Sequence, residues 1–424
     1  MLLAKHMNDM KHLFLISMIT GMIFTSQSYA QTRNLEDYLN RAISNSPLLN
    51  DYNNRIGMTR LDSLIHRAEY KPQVDFSTTN IFAPAIKGYG YDRGIIDGGT
   101  YNALVTVSQT ILGRRQLNAQ LNGYRLDNRD TENSRQISIH DLRLSVIAQY
   151  ITAYGTWQEM QYQQEVLNLM REEEHLLHKL MESAVYKQTD YLNFQIGVQQ
   201  QSIRLQQQEA TYRDAISTLN YLCGIVDTAR VRLDVPTIAL RLPAEYESTI
   251  QFKQSVIDSL RLRNEDLLID YAYHPKVNVF IDGGFNTTFA SQAYKNAGVS
   301  MGLSLSVPIY DGKQRKKQHS KIKLEEQTRQ QYQIFARQQY QQQLAGLYQQ
   351  LKLCNVIVEQ SQTAVTQART LMDAYRKLLR TGGVSITDYF LSVSSYLSLR
   401  SDVLQNTNAK LQIINQINYW NYEK

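Results

Sequence analysis

Val299-Ser300-Met301-Gly302-Leu303-Ser304-Leu305-Ser306-Val307 is the stretch that decides the fold. Every odd position is apolar and every even one is Ser or Gly. A period of two is that of a β-strand, whose successive side chains point to opposite faces. One face is therefore greasy and the other small and polar. In a soluble sheet the greasy face packs on a core. In an outer-membrane barrel it meets lipid, and the small residues line a wet lumen. The preceding strand continues the pattern, with Val277, Val279, Ile281 and Phe285 on one side and Lys276, Asn278, Asp282 and Asn286 opposite. A weaker pair lies upstream, with Val74, Phe76 and Phe82 in one strand and Ala103, Val105 and Val107 in the next. Each strand covers about 9–11 residues, the length that crosses a bilayer when tilted. The expected lipid face comprises Val277, Val279, Ile281, Val299, Met301, Leu303, Leu305 and Val307.

Around these strands the chain repeats itself. Thr189-Asp190-Tyr191-Leu192 recurs as Thr387-Asp388-Tyr389-Phe390, an offset of 198 residues. Leu180-Met181 with Leu378-Leu379, and Gln109-Thr110-Ile111-Leu112 with Val307-Pro308-Ile309-Tyr310, share that offset. Lys71-Pro72-Gln73-Val74 pairs with His274-Pro275-Lys276-Val277 at an offset of 203. The difference falls in a loop between two strands, where insertion is cheap in closure entropy. Matches in one order indicate a duplicated unit of about 200 residues. The first repeat is assigned to 31–223, with strands about 72–86 and 100–112, a long helix about 114–182 and a shorter one about 189–222. A connector follows at 224–250. The second repeat is 251–424, with strands about 275–286 and 298–309 and helices about 313–380 and 387–422. Gly88, Gly90, Gly94, Gly98 and Gly99, and the polar run Phe285 to Asn296, read as hairpin loops.

Composition bounds the class. The 424 residues are 43% hydrophobic, enough for a large core, which excludes global disorder. Met10-Lys11, the apolar run Leu13 to Phe24 and Thr25-Ser26-Gln27-Ser28-Tyr29-Ala30 have the order of an export signal spanning 1–30. Translation starts at Met1 or Met10. The apolar run is shorter than the roughly 20 residues that span a membrane, and it is the only such run. A polytopic helical membrane protein is thus excluded. No Cys follows the small residues to carry a lipid. The net charge of +6 is dilute, and with export it argues against a nucleic-acid partner. Cys223 and Cys354 fit no zinc spacing; Cys354 reads as a small core residue, and export would permit a disulfide.

No Pro lies between Ala85 and Val235 or after Pro308. A Pro inside a helix costs about 3 kcal/mol, so these stretches hold the long helices, each roughly 100 Å at 1.5 Å per residue. Leu344, Leu347, Leu351, Cys354 and Val358 step by three and four, and Val365, Ala368, Met372, Tyr375 and Leu379 continue the stripe past Ser361. That is a coiled-coil seam, repeated briefly by Leu144, Ile147, Ile151 and Tyr154. Gln206-Gln207-Gln208 and Gln341-Gln342-Gln343 read as solvated helix face. The second long helix turns back at Thr381-Gly382-Gly383-Val384-Ser385, where Gly suits a helix end, Ser385 or Thr387 suits a cap and Asp388 suits the next helix's positive pole. Ser183-Ala184-Val185-Tyr186-Lys187, then Thr189 and Asp190, stand at the matching place.

Lipid-exposed strands leave no edge unpaired, and four strands fall short of the usual minimum of about eight that closes a barrel. If the greasy faces meet lipid, several chains must share one barrel: two give eight strands and a filled lumen, three give twelve and room for a channel.

The ordered set of features resembles the TolC-like outer-membrane efflux proteins over nearly all of the chain after the export signal. Its carriers are the duplicated strand–strand–long-helix unit, Val307-Pro308-Ile309-Tyr310-Asp311-Gly312, the turn from Gly382 to Asp388-Tyr389, and Leu35-Glu36-Asp37-Tyr38-Leu39-Asn40-Arg41-Ala42 followed by Ser46-Pro47. The resemblance implies a mostly α fold with a small membrane β part, a homotrimer with a 12-strand barrel in outer-membrane lipid of a Gram-negative bacterium, and a helical coiled-coil tunnel across the periplasm. It implies a periplasmic adaptor protein, an inner-membrane pump of RND or ABC type, and passive export of small molecules or proteins in tripartite efflux or type I secretion. It implies no enzyme activity and no cofactor. The sequence departs from the family at the tip, where Val384 and Leu391 replace a basic and an acidic residue and Ala184 replaces Gly.

Among the candidates, Asp190 and Asp388 repeat in each subunit and would ring a periplasmic mouth, where carboxylates favour cations; the plainer role is a charge at a helix N-terminus. Thr189, Thr387, Gly382, Gly383 and Ser385 complete the tip set. His175 and His178 stand three apart with no third ligand, and read as helix face rather than metal site. Lys313, Arg315, Lys316, Lys317, Lys321 and Lys323 follow the last strand, either as a solvated run or against phospholipid headgroups. There is no phosphate loop, no His-Glu-x-x-His and no nucleophile elbow. The alternative from another class is a periplasmic coiled-coil scaffold or adhesin with a small soluble sheet.

Overall fold

Proline and capping residues set where the helices begin. Ser46 accepts from the Leu49 amide at 3.4 Å with Pro47 as the first helical residue, and Thr249 accepts from the Phe252 amide at 3.3 Å. The structure is a computed structural model that describes residues 32–84, 86–90, 98–227, 231–242, 244–288 and 290–421. The export signal at 1–30, the loop residue Gly94 and the last residue of the expected final helix, Tyr422, lie outside the described residues.

The chain runs β1 (Thr32–Arg33), α1 (Leu35–Asn45), α2 (Pro47–Glu69), β2 (Gln73–Phe82) and β3 (Gly99–Ile111). Then come α3 (Arg114–Glu182), α4 (Gln188–Leu222), β4 (Arg232–Leu233) and α5 (Ile250–Ala272). It ends with β5 (Lys276–Thr287), β6 (Ala297–Ser306), α6 (Gln314–Leu379) and α7 (Ile386–Trp420). The fold is mostly helical with a small antiparallel sheet. Among the described residues no helix is long and apolar enough to cross a membrane.

Two compact units are present. One takes the chain up to Asn45 with Val146–Ile238 and Val358–Ala409; the other takes Ser46–Ser145, Ala239–Ile357 and the chain from Lys410. Each unit draws on both halves of the chain, so a long-helix seam is buried by helices of its own half and of the other. In the first unit, Tyr162, Val166, Leu167, Met170 and Leu177 of α3 form one core with Phe194 and Val198 of α4. Val365, Met372 and Leu379 of α6 and Tyr389, Val393 and Tyr396 of α7 close it. Each such side chain contributes about 1.5–3 kcal/mol on burial. The α6 seam is buried as the spacing predicts, at Leu344, Leu347, Leu351 and Cys354 in the second unit and at Val365, Met372 and Leu379 in the first. The α3 stripe is wider than the predicted one. Val146, Tyr150, Ile151, Ala153 and Tyr154 are all buried, whereas Leu144 and Ile147 are half-buried. Tyr150 is at the interior of its unit, its hydroxyl 2.8 Å from the Asp234 carbonyl beside the parallel β1–β4 pair. Gln341, Gln342 and Gln343 are exposed, whereas Gln208 donates to the Thr156 carbonyl at 3.1 Å. Cys223 and Cys354 are both free and buried.

In the second unit β2, β3, β5 and β6 form a four-stranded sheet in that order, every neighbour antiparallel. The strand from the first half (β3) therefore pairs with the strand from the second (β5). β2 stops at Phe82, ahead of Pro84, and β6 stops at Ser306. Val307 is thus a correction to the expected lipid face: it lies past the strand, ahead of Pro308, which has no amide to donate to a ladder.

Candidate functional site

The sheet register sorts the strand residues into rows. Val74, Val107, Ile281 and Met301 share one row, and Phe76, Val105, Gly283 and Val299 the next. Val279 faces Leu303 and Val277 faces Leu305 on the same side. This apolar face is bare: Phe76 is 70% exposed and Met301 82%. The opposite face carries Asp75, Thr106, Asp282 and Ser300 in one row. Thr106 donates to Asp282 at 2.6 Å and Ser300 at 3.2 Å. Leu104 and Phe280 interrupt that polar face, and the Phe280 ring covers the space where Gly302 has no side chain. The outer strands β2 and β6 each keep one unpaired edge among the described residues.

The second feature is the pair of helix turns in the first unit. At the end of α6, the Gly383 amide donates to Leu378 at 3.0 Å and the Gly382 amide to Leu379 at 3.3 Å. At the end of α3, the Val185 amide donates to Leu180 and the Ala184 amide to Met181, both at 2.9 Å. These are the same two bonds of a Schellman stop, 198 residues apart. The stop needs a left-handed residue, which is Gly382 at φ 71° in one turn and Ala184 at φ 57° in the other. The Tyr186 hydroxyl joins the two turns, 2.9 Å from the Leu379 carbonyl oxygen and 3.0 Å from that of Val384. Ser385 caps α7: its Oγ accepts from the Asp388 amide at 3.0 Å and donates to the Asp388 carboxylate at 2.7 Å.

Three solved structures carry this arrangement of strands and helices. CusC, whose structures follow folding and transmembrane channel formation, superposes with a TM-score of 0.75 at 12% identity, over 94% of this chain and 95% of its own. The open-state MtrE outer-membrane channel of Neisseria gonorrhoeae gives 0.73 at 12% identity, over 91% and 88%. The outer-membrane protein VceC of Vibrio cholerae gives 0.70 at 11% identity, over 92% and 96%. The fold is that of the TolC-like outer-membrane channels. No family model matches the chain, and no curated protein matches its sequence.

Within this TolC-like fold the sequence candidates fall into two places. Val277, Val279, Ile281, Val299, Met301, Leu303 and Leu305 lie together on the apolar sheet face. Gly382, Gly383, Ser385, Thr387 and Asp388 lie at the second turn; Thr189 and Asp190 lie in the first turn of α4. Asp388 is exposed and engaged with its cap, whereas Lys187, the residue ahead of α4, gives that helix no side-chain cap. His178 sits 3.6 Å from Glu182 with its ring edge on Tyr191. Sequence reasoning missed the buried ion pair beside the turns, where the Arg376 Nε bonds to Glu173. The two are 203 residues apart, and the only local signal was an acid inside the Glu172-Glu173-Glu174 run.

Ala184 supplies a test of the turn geometry. A side chain at a left-handed φ costs about 1 kcal/mol relative to Gly. Ala184→Gly is expected to raise the thermal midpoint, and Gly382→Ala to lower it by a similar free energy. The added Cβ in the latter would also sit 3.2 Å from a Val185 methyl. Equal melting of both variants would show that neither turn holds its left-handed residue in solution.

Proposed function

We propose that the chain is one subunit of a homotrimeric outer-membrane exit channel that passively conducts small molecules or proteins outward. The observation that carries this is the four-stranded sheet with one bare apolar face and two open edges. Lipid accepts no unpaired backbone, so the edges need partners. β2 and β6 run in opposite directions, so β6 of one copy meets β2 of the next antiparallel and the barrel closes with every neighbour alike. Three copies give twelve strands and a lumen lined by the Asp75 and Asp282 face. The two chain repeats then each supply a strand pair and a long helix, the second unit places the sheet in lipid, and the helices belong to the periplasm. A periplasmic adaptor and an inner-membrane pump, RND or ABC in type, would deliver the cargo to the helical end in an efflux or type I secretion assembly. No chemistry by this chain is needed for such a duct.

The direct test is to extract the full chain with detergent, weigh the particle by light scattering, and record conductance in planar bilayers. A trimer that conducts supports the duct. Recovery in the soluble periplasmic fraction without detergent, or a monomer in detergent, would replace it with the scaffold alternative.

Asp388 and Asp190, each threefold in the trimer, form carboxylate rings at the periplasmic mouth in this proposal. Asp388→Asn is expected to shift the reversal potential in a KCl gradient toward zero, because a cation-favouring ring loses its charge. It also weakens the α7 cap by about 0.5–1 kcal/mol. A small loss of melting temperature with unchanged selectivity would leave Asp388 as a capping residue alone.

A further inference from the structure

The first turns of α6 carry charge that the fold does not use. Arg315 and His319 face α5: Arg315 bonds to Asp270 at 2.7 Å, and His319 lies 2.6 Å from Asp266 and 3.0 Å from Asp270. That row is fully engaged with carboxylates. The neighbouring row, Lys313, Lys316, Lys317, Ser320, Lys321 and Leu324, lines an open groove of about 380 Å³ instead. Among the described residues Lys313, Lys316 and Lys317 meet no carboxylate, and Lys321 is 3.5 Å from the half-buried Glu325.

Such a row works against the helix. The first turn of α6 has no acidic residue of its own, and cations near a helix N-terminus are unfavourable by about 0.3–1 kcal/mol each. Lys317 and Lys321 also repel at four-residue spacing within the helix. Asp311, which accepts from the Lys313 and Arg315 amides at 2.8 and 2.7 Å, offsets only part of this. A local cost with no return inside the chain points to a ligand outside it. The groove's place identifies the ligand. It begins seven residues after β6, and the intervening Ile309 and Tyr310 are 95% and 83% exposed. Going from sheet to helix, the surface thus changes from apolar, through one exposed tyrosine, to basic. That is the order a leaflet presents from acyl chain to interface to headgroup phosphate.

We propose that the lysine groove on the first turns of α6 binds the phosphate headgroups of anionic phospholipids in the periplasm-facing leaflet and so fixes the depth of the sheet. This rests on the membrane reading above. The probe is dioleoylphosphatidylglycerol against dioleoylphosphatidylcholine, each in mixed micelles with the full detergent-extracted protein, with bound lipid counted by native mass spectrometry. The wild type is expected to retain the anionic lipid preferentially. The triple variant Lys316→Gln, Lys317→Gln, Lys321→Gln should bind it about 100-fold more weakly, at about 1 kcal/mol per basic residue. The corresponding triple Arg variant should keep the preference. Should the Gln variant fail to assemble, the single Lys317→Gln variant, with an expected loss of about fivefold, serves in its place. Equal retention of both lipids by the wild type, or full competition by inorganic phosphate at equal concentration, would overturn the proposal. A detergent-extracted oligomer without lipid preference sinks this inference alone; a protein soluble without detergent sinks the membrane reading first.

Discussion

A Met301→Arg chain is expected to be exported but missing from the outer-membrane fraction, with no conductance recovered. Met301 lies near the middle of β6, 82% exposed, in line with Ile281, Val107 and Val74. An arginine on the lipid face of a barrel costs about 2–4 kcal/mol at the bilayer midplane. In the proposed trimer that penalty falls on each of three subunits, about 6–12 kcal/mol per assembly, as large as the whole net stability of an ordinary domain. The matched control is Ser304→Arg, three residues along and on the opposite face, paired with Asn278. In a water-filled lumen that arginine keeps its hydration. The control should therefore insert, and should move ion selectivity toward anions. The pair separates the two meanings of an alternating strand. If the sheet packed on a private soluble core, Met301→Arg would still destabilise the fold, but both variants would be soluble and neither would change a conductance. Normal membrane yield of Met301→Arg would refute a lipid-facing row at this position.

The features legible in the sequence are those set by local periodicity. Val299 to Leu305 alternates because successive side chains point to opposite sides of the sheet, one of them apolar and bare, so the two faces of that strand were readable without its partners. The α6 seam was readable because one side of a long helix is buried at a three-four step. What the sequence hid was long-range or conformational. Nothing local pairs β3 with β5, since either strand would satisfy any neighbour of the right length. Val307 continues the alternation and still leaves the strand, because Pro308 has no amide to donate to a ladder. Phe280 breaks the polar face because it fills the space above Gly302, a cross-strand relation that a single strand does not display. At the tip, Ala184 lacked the glycine that marks a helix stop, and only its φ of 57° shows that the same turn is made twice. The pairing of Glu173 with Arg376 depends on how α3 and α6 lie together.

That pair carries the second large effect. Glu173 has a side chain 2% exposed, on α3, and takes its bond from Arg376 on α6, whose side chain is 33% exposed; Glu172 adds a contact at 3.7 Å. Among the described residues the second Glu173 oxygen has no hydrogen-bond partner, and neither does the buried Tyr389 hydroxyl. Burial, and then the Glu173 carboxylate, push the Tyr389 phenol above its ordinary range, so it stays neutral. Removing one partner of a buried ion pair costs about 3–5 kcal/mol, because the remaining charge is stranded. Arg376→Met should fall near the lower end, since the arginine is partly solvated. At about 3 kcal/mol, amide exchange around Leu379 and Tyr389 should speed up about 100-fold while the β3 and β5 amides keep their protection, a local opening rather than a global one. Glu173→Met combined with Arg376→Met removes both charges and should restore most of the protection. Such a rescue would make the pair a device for fixing the register of α3 on α6 rather than a source of stability. If the single Arg376 variant exchanges like the wild type, Glu173 is solvated in the assembled protein and its burial in one chain has no energetic meaning.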